Sequence, residues 1–204
     1  MKQIIHIHGW ETFGNDEDFY KAVAKREYKP FEEKKKWIKR AAEQLTGEYE
    51  IFAPDMPCYK NAKYRAWKIW FEKIFPFLND EELVITGKSL WSTFLAKYLS
   101  ENTFPKRISQ LHLVAWCFDE QDLPEGEDDL ADFVFDPAGL ENLEGQVDHI
   151  FLYHSKDDTV VPFSHLGKFQ SYLPKAMVSV FEDRGHFTQA EFPELLENIR
   201  AYKK

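Results

Sequence analysis

ELVITGKSLWSTFLAKYLS, residues 82–100, passes from one periodicity to another within a few positions. Leu83, Val84 and Ile85 make a short, continuously apolar run closed by Gly87, the pattern of a strand buried on both faces. Beyond it Trp91, Phe94, Leu95 and Tyr98 recur at three- and four-residue intervals, the spacing of a helix with one apolar face. A strand over Glu82–Gly87 therefore runs into a helix that reaches about Ser100, through Gly87-Lys88-Ser89. A serine on so tight a turn has its hydroxyl exposed above the sheet, with the following N–H groups at the positive helix end. The same position suits a serine that only caps the helix. The turn alone leaves both roles open.

The alternation continues in both directions. Upstream, QIIHIH (Gln3–His8) reads as a short buried strand followed by a loop holding Gly9 and Gly14. FEEKKKWIKRAAEQL, residues 31–45, has Phe31, Ile38, Ala41, Ala42 and Leu45 at helical spacing, with Gly47 as a stop. Tyr49–Asp55 reads as a second strand, and Trp67, Trp70, Phe71 and Ile74 as the apolar face of another helix. Downstream, Ile108–Cys117 is a fourth strand, Val147–Ser155 a fifth and Lys175–Asp183 a sixth. Helices follow over about 163–172 and around Phe192, Leu195, Leu196 and Ile199. Near-continuous apolar strands separated by amphipathic helices predict a three-layer α/β/α sandwich on a mostly parallel sheet of about six strands. Residues 1–204 read as one domain, without repeat or linker.

Composition narrows the function. The formal net charge of −9 argues against general nucleic-acid binding, which needs a basic face. Phe118–Gln146 holds eleven Asp or Glu and no Lys or Arg, so −9 + 11 leaves +2 for everything else and the acidity is local. The opening MKQIIHIHGW reads as neither a secretion signal nor a membrane span, and no stretch approaches the ~20 apolar residues a span needs. Two cysteines, Cys58 and Cys117, make no disulfide framework and read as reduced thiols of a cytoplasmic protein. They are also too few for a cysteine zinc site, and a His8–His154–His186 metal trio lacks supporting spacing. No metal or organic cofactor is expected. A flavodoxin-like nucleotide binder shares the alternation but would need a glycine-rich phosphate loop that the chain lacks.

Two further clusters fall where loops leave the carboxyl ends of strands, the edge where functional groups converge in parallel sheets. HSKDDTVVP, residues 154–162, offers Asp157 or Asp158 as a group to orient a histidine, or simply a solvated turn. Arg184-Gly185-His186-Phe187 puts a histidine after the sixth strand. Ser89, an aspartate and His186 each follow a different strand, in the chain order serine, acid, histidine of α/β-hydrolases. His6, His112 and His149 lie inside strands and read as hydrogen-bonded structural residues.

The run SKDDTVVPFSHLGKFQSYLPKAMVSVFEDRGHF resembles the C-terminal half of a family of small serine hydrolases that includes a retinoblastoma-binding serine hydrolase and bacterial relatives. GHFTQAEFPEL, IHIHGW, the APDMP segment and the pairing of Trp67 with Phe71 are similar as well. Residues from about Glu11 to Lys36 are longer than the family norm. The resemblance implies an α/β-hydrolase fold with Ser89 as nucleophile, His186 as base and Asp158, directly before Thr-Val-Val-Pro, as acid. It implies an oxyanion hole from the backbone N–H groups of Leu90 and Trp10. The family has histidine where this chain has Lys88, and a small residue, usually glycine, where it has Trp91.

The expected activity is hydrolysis of a small ester, thioester or amide through an acyl-enzyme, esterase-like in class. The substrate is a small acyl compound, and neither nucleic acid nor membrane is expected as a partner. The competing expectation, favoured by Lys88, Trp91 and the long early segment, is a hydrolase-fold protein acting as an interaction module. Residues 118–146 are expected to form an acidic cap, with Leu130, Phe133, Val134 and Phe135 as its inner surface. Trp91, in register with Phe94 and Tyr98, is expected to serve the core.

Overall fold

Six strands form one sheet in the order β2-β1-β3-β4-β5-β6, and every neighbouring pair is parallel. The computed structural model describes residues 1–8, 11–25, 43–45, 47–58, 60–124 and 129–202. The strands are β1 (Lys2–His8), β2 (Tyr49–Phe52), β3 (Leu83–Lys88), β4 (Ile108–Val114), β5 (Val147–Ser155) and β6 (Met177–Phe181). The helices are α1 (Asp16–Lys25), α2 (Tyr64–Glu72), α3 (Leu90–Glu101), α4 (Leu140–Gln146), α5 (Ser164–Tyr172) and α6 (Pro193–Ala201). Crossovers rather than hairpins join the strands, as parallel pairing demands.

Side chains alternate across the sheet, so successive residues enter different cores. Ile5, Ile7, Ile85, Leu111, Leu113 and Leu152 pack on one face with Trp67, Phe71, Trp91, Phe94, Leu143 and Phe169 of the covering helices. Ile4, Val84, Val114, Phe151 and Tyr153 pack on the other with Phe187, Phe192, Leu195, Leu196 and Ile199. Both faces are covered, which is why the strands read as continuous apolar runs.

The polar residues of the central strands are paired, as buried polar groups must be. His6 Nδ1 meets Thr86 Oγ1 at 2.5 Å across β1 and β3. His112 stacks on Phe151, its ring nitrogens meeting Tyr153 Oη at 2.9 Å and Gln110 Oε1 at 3.1 Å. Gln110 Nε2 donates to the carbonyls of Ile199 and Tyr202, satisfying the end of α6. The structural reading of the strand histidines 6 and 112 holds.

Several elements end earlier than their apolar runs. β4 stops at Val114 because Ala115 adopts φ 44°, turning Trp116 and Cys117 away from the strand direction. β2 stops at Phe52, before Pro54. The helix expected over residues 31–45 lies outside the described residues except for its last turn at 43–45. Residues 11–15, including Gly14, form a loop after β1 as expected, and α1, for which no helix was expected, follows it. Asn15 Oδ1 accepts the Asp18 N–H at 3.0 Å, and Asp16, Glu17 and Asp18 fill the first turn. No helix among the described residues is long and apolar enough to cross a membrane.

Candidate active site

The turn between β3 and α3 is pinned from three sides. The Ser89 N–H donates to the Val114 carbonyl at 2.8 Å. Ser92 Oγ donates to the same carbonyl at 3.3 Å and accepts from the Val114 N–H at 3.1 Å. Thr93 Oγ1 bridges the carbonyl and N–H of Cys117 at 3.1 and 3.2 Å. Two hydroxyls on the first turn of α3 thus grip the end of β4 and the segment that follows it. Gly87 is required by close approach: a Cβ there would lie 2.8 Å from Leu95 Cδ1 and 3.1 Å from the Ser92 nitrogen.

So held, Ser89 takes φ 56° and ψ −134°, a left-handed conformation that costs a non-glycine residue about 1–3 kcal/mol. Its hydroxyl makes no side-chain capping bond to α3. The capping alternative is therefore not what occupies this serine. Its side chain is half-buried at the carboxyl edge of the sheet. The Leu90 N–H begins α3, where N–H groups have no intrahelical partner. Trp10 lies outside the described residues.

Trp91 packs into the core among aromatic rings. Its indole is fully buried, stacked on Trp67 with centroids 4.7 Å apart and set edge-on to Phe94 at 4.4 Å. Phe94 in turn stacks on Tyr98. Trp91 Nε1 has no hydrogen-bond partner among the described residues, so the ring contributes by packing alone.

Across the same edge, Asp158 and His186 meet. His186 Nδ1 donates to Asp158 Oδ2 at 2.9 Å, with Oδ1 at 3.2 Å. Asp158 Oδ1 also accepts the N–H groups of Val160 and Val161 at 2.9 and 3.0 Å. Burial by itself raises the pKa of this carboxyl, but the bond and charge attraction from His186 and the two backbone donors outweigh it, and it lies below the ordinary value. A second imidazole, that of His154, is fully buried 3.9 Å from Asp158 Oδ2 and donates from Nε2 to the Val161 carbonyl at 2.9 Å. Burial, the largest influence, lowers its pKa below the ordinary imidazole value. No hydrogen bond joins Ser89 to His186 among the described residues.

The backbone around His186 is unusual on both sides, Gly185 at φ 49° and Phe187 at φ 51°. Phe187 tolerates this because its ring is fully buried against Phe181 and Phe192. Asp157, the other aspartate of the pair, does not touch the imidazole. It accepts from Ser155 Oγ at 2.5 Å and from the Gly185 N–H at 2.8 Å. Sequence reasoning gave Ser155, Ser92 and Thr93 no role. The available signal was a hydroxyl at a position that strand or helix periodicity assigns to the interior.

The acidic segment is anchored at its start and again near its middle. The Phe118 N–H donates to His165 Nδ1 at 3.0 Å, and His165 Nε2 meets the Gln121 carbonyl at 2.9 Å. Further on, Asp129 accepts the Gly14 N–H at 2.6 Å and Asp132 the Tyr64 N–H at 3.0 Å. Leu130, Phe133 and Phe135 are buried, whereas Val134 is 47% exposed and belongs to the outer surface. Among the described residues no group of three or more His, Cys, Asp or Glu could hold a metal ion.

The parallel sheet, the strained serine at its carboxyl edge and the helices on both faces define an α/β-hydrolase fold. The chain matches no protein-family model. It is 25% identical over 170 residues to serine hydrolase RBBP9 of Rattus norvegicus, an alignment covering 81% of this chain and 83% of the rat protein. Among solved structures, the ydeN gene product from B. subtilis has a TM-score of 0.74 at 17% identity, covering 99% of this chain and 98% of that one. An esterase from Exiguobacterium antarcticum has a TM-score of 0.67 at 15% identity, covering 99% and 91%. The resemblance to the small serine hydrolases is thus found again over most of the chain, and this homology supports hydrolase function.

Proposed function

We propose that the protein is a single-domain, cytoplasmic serine hydrolase that cleaves a small ester, thioester or amide through an acyl-enzyme on Ser89. His186 Nε2 removes the Ser89 proton as Oγ attacks the carbonyl, and later returns it to the leaving group. Asp158 holds the imidazole with its proton on Nδ1 and stabilises the imidazolium. The backbone N–H groups of Leu90 and Trp10 receive the oxyanion, and water then hydrolyses the ester to Ser89. These steps use no cofactor or metal. The segment 118–146 acts as an acidic cap over the site, and the substrate is a small acyl compound rather than nucleic acid or membrane.

The observation that carries this reading is the left-handed Ser89 on a β3–α3 turn, its hydroxyl not spent on the helix it precedes. Ser89 lacks a bond to His186, which favours the competing reading of an interaction module. Catalytic hydrogen bonds often close only around substrate, so the esterase-like reading stands first. A fluorophosphonate probe decides between them. We expect one adduct, on the Ser89 peptide, detected by intact-mass analysis and lost in Ser89→Ala. Equal labelling of parent and variant would remove Ser89 from the mechanism.

A further inference from the structure

We infer that Ser155 and Asp157 are a positioning pair that aims His186 by holding the two backbone N–H groups before it. The inference rests on the serine-hydrolase reading for its kinetic consequence, not for its geometry. Ser155 ends β5 with its side chain fully buried. Its hydroxyl accepts the Arg184 N–H at 3.0 Å and donates to Asp157 Oδ1 at 2.5 Å. The same Oδ1 accepts the Gly185 N–H at 2.8 Å. One hydroxyl and one carboxylate oxygen thus fix consecutive peptides immediately upstream of the imidazole. The Lys156 N–H, donating to the Phe181 carbonyl at 2.8 Å, ties the start of the same loop to β5.

The pair addresses a specific mechanical problem. Gly185 at φ 49° is a turn residue that side-chain packing does not confine, since a Cβ there would meet nothing within 4 Å. Downstream, buried Phe187 anchors the loop. Upstream, Asp183 is exposed and Arg184 and Gly185 are half-buried; the Arg184 side chain lies over the Phe181 ring and pairs with Glu194, but no ring is buried there to hold the backbone. Hydrogen bonds do there what burial does on the other side. Both bonds to Asp157 end on one oxygen, so the carboxylate's charge is not required. An amide oxygen in the same place accepts both donors.

That distinction sets the test. Asp157→Ala, Asp157→Asn and Ser155→Ala are compared with the parent in hydrolysis of p-nitrophenyl acetate and in the low-field proton resonance of His186 Nδ1–H, assigned by its loss in His186→Gln. Asp157→Ala and Ser155→Ala should lower kcat about tenfold or more with KM within about twofold, because a small misplacement of a reacting group costs rate rather than binding. Their resonance should broaden by exchange with water. Asp157→Asn should keep both kcat and a sharp resonance. Asp157 is exposed, so its alanine variant removes no core contact and reads the pair even where Ser155→Ala unfolds. Parent-like kcat and resonance in Asp157→Ala would overturn the inference, as would equal damage in Asp157→Asn. If Ser89→Ala retains the parent's ester turnover, the hydrolase reading fails, while the resonance still judges the pair.

Discussion

On the β5–β6 side of the sheet edge, Asp158 and His186 are already joined, with two backbone N–H groups completing the carboxylate. On the β3 side, Ser89 stands in a left-handed conformation, held by Val114, Ser92 and Gly87 rather than by any bond of its own hydroxyl. One half is organised by satisfied polar bonds and the other by stored strain. The difference matters because the two devices fail differently. Breaking a satisfied polar set leaves charge or tautomer wrong while the fold persists. Loosening a strained turn lets the backbone relax, and packing decides whether it can.

The largest expected effect tests the polar half. Asp158→Asn keeps the side chain's size but cannot hold His186 with its proton on Nδ1, so turnover of a chromogenic ester should fall on the scale of ~10⁴. Asp157→Asn should stay within a few-fold, since an amide oxygen can accept the same Ser155 and Gly185 donors. Equal losses in the two variants would erase the assignment of Asp158 as acid.

The strained half is tested through Trp91. Trp91→Gly removes a fully buried ring stacked on Trp67 and should cost about 3–5 kcal/mol, as large core truncations do. Melting temperature should drop while kcat/KM does not rise, because the indole packs on Trp67 and Phe71 of α2 and so serves the core. A variant both faster and no less stable would mean that Trp91 distorts the elbow after all.

The smallest effect sharpens the contrast by using a buried polar group with no place in the site. Burial pushes the His112 imidazole down to about 3, against ~6.5 in an unfolded chain. Between these values the unfolded chain binds a proton that the folded one refuses. Stability from this group is therefore complete above ~6.5 and declines as pH falls toward 3. His112→Gln should flatten the fall in melting temperature over that window and leave the pH dependence of kcat/KM unchanged. An unaltered acid limb in the variant would contradict it.

Most of the architecture was legible because it rests on burial, and burial is written in periodicity. β5 runs over Val147–Ser155, where its apolar run predicts it, and Ser89 lies at the end of β3 as the shift from strand to helix spacing requires. What periodicity does not record is contact between distant loops. Ser155 reaching Arg184, Ser92 reaching Val114 and Asp129 reaching Gly14 depend on the sheet having assembled, and nothing local announces them. Strand ends were overestimated where backbone geometry, as at Ala115, interrupts an apolar run that continues into the core. Helix α1 left a readable cap in Asn15-Asp16-Glu17-Asp18, but its buried face is empty, so the usual apolar signal was missing.

The order of strands also governs how this chain reaches its native state in time. β1, made first, lies between β2 and β3, and His6 finds Thr86 80 positions later. No strand pair can zip up from a hairpin, so each pairing must close a long loop before it gains any contact, and folding should be slow for a domain of this size. Until β3 arrives, one side of β1 is an open template for another chain's strand. Refolding at high protein concentration should therefore lose material to association at a stage when the carboxyl-terminal half of the sheet has yet to add on.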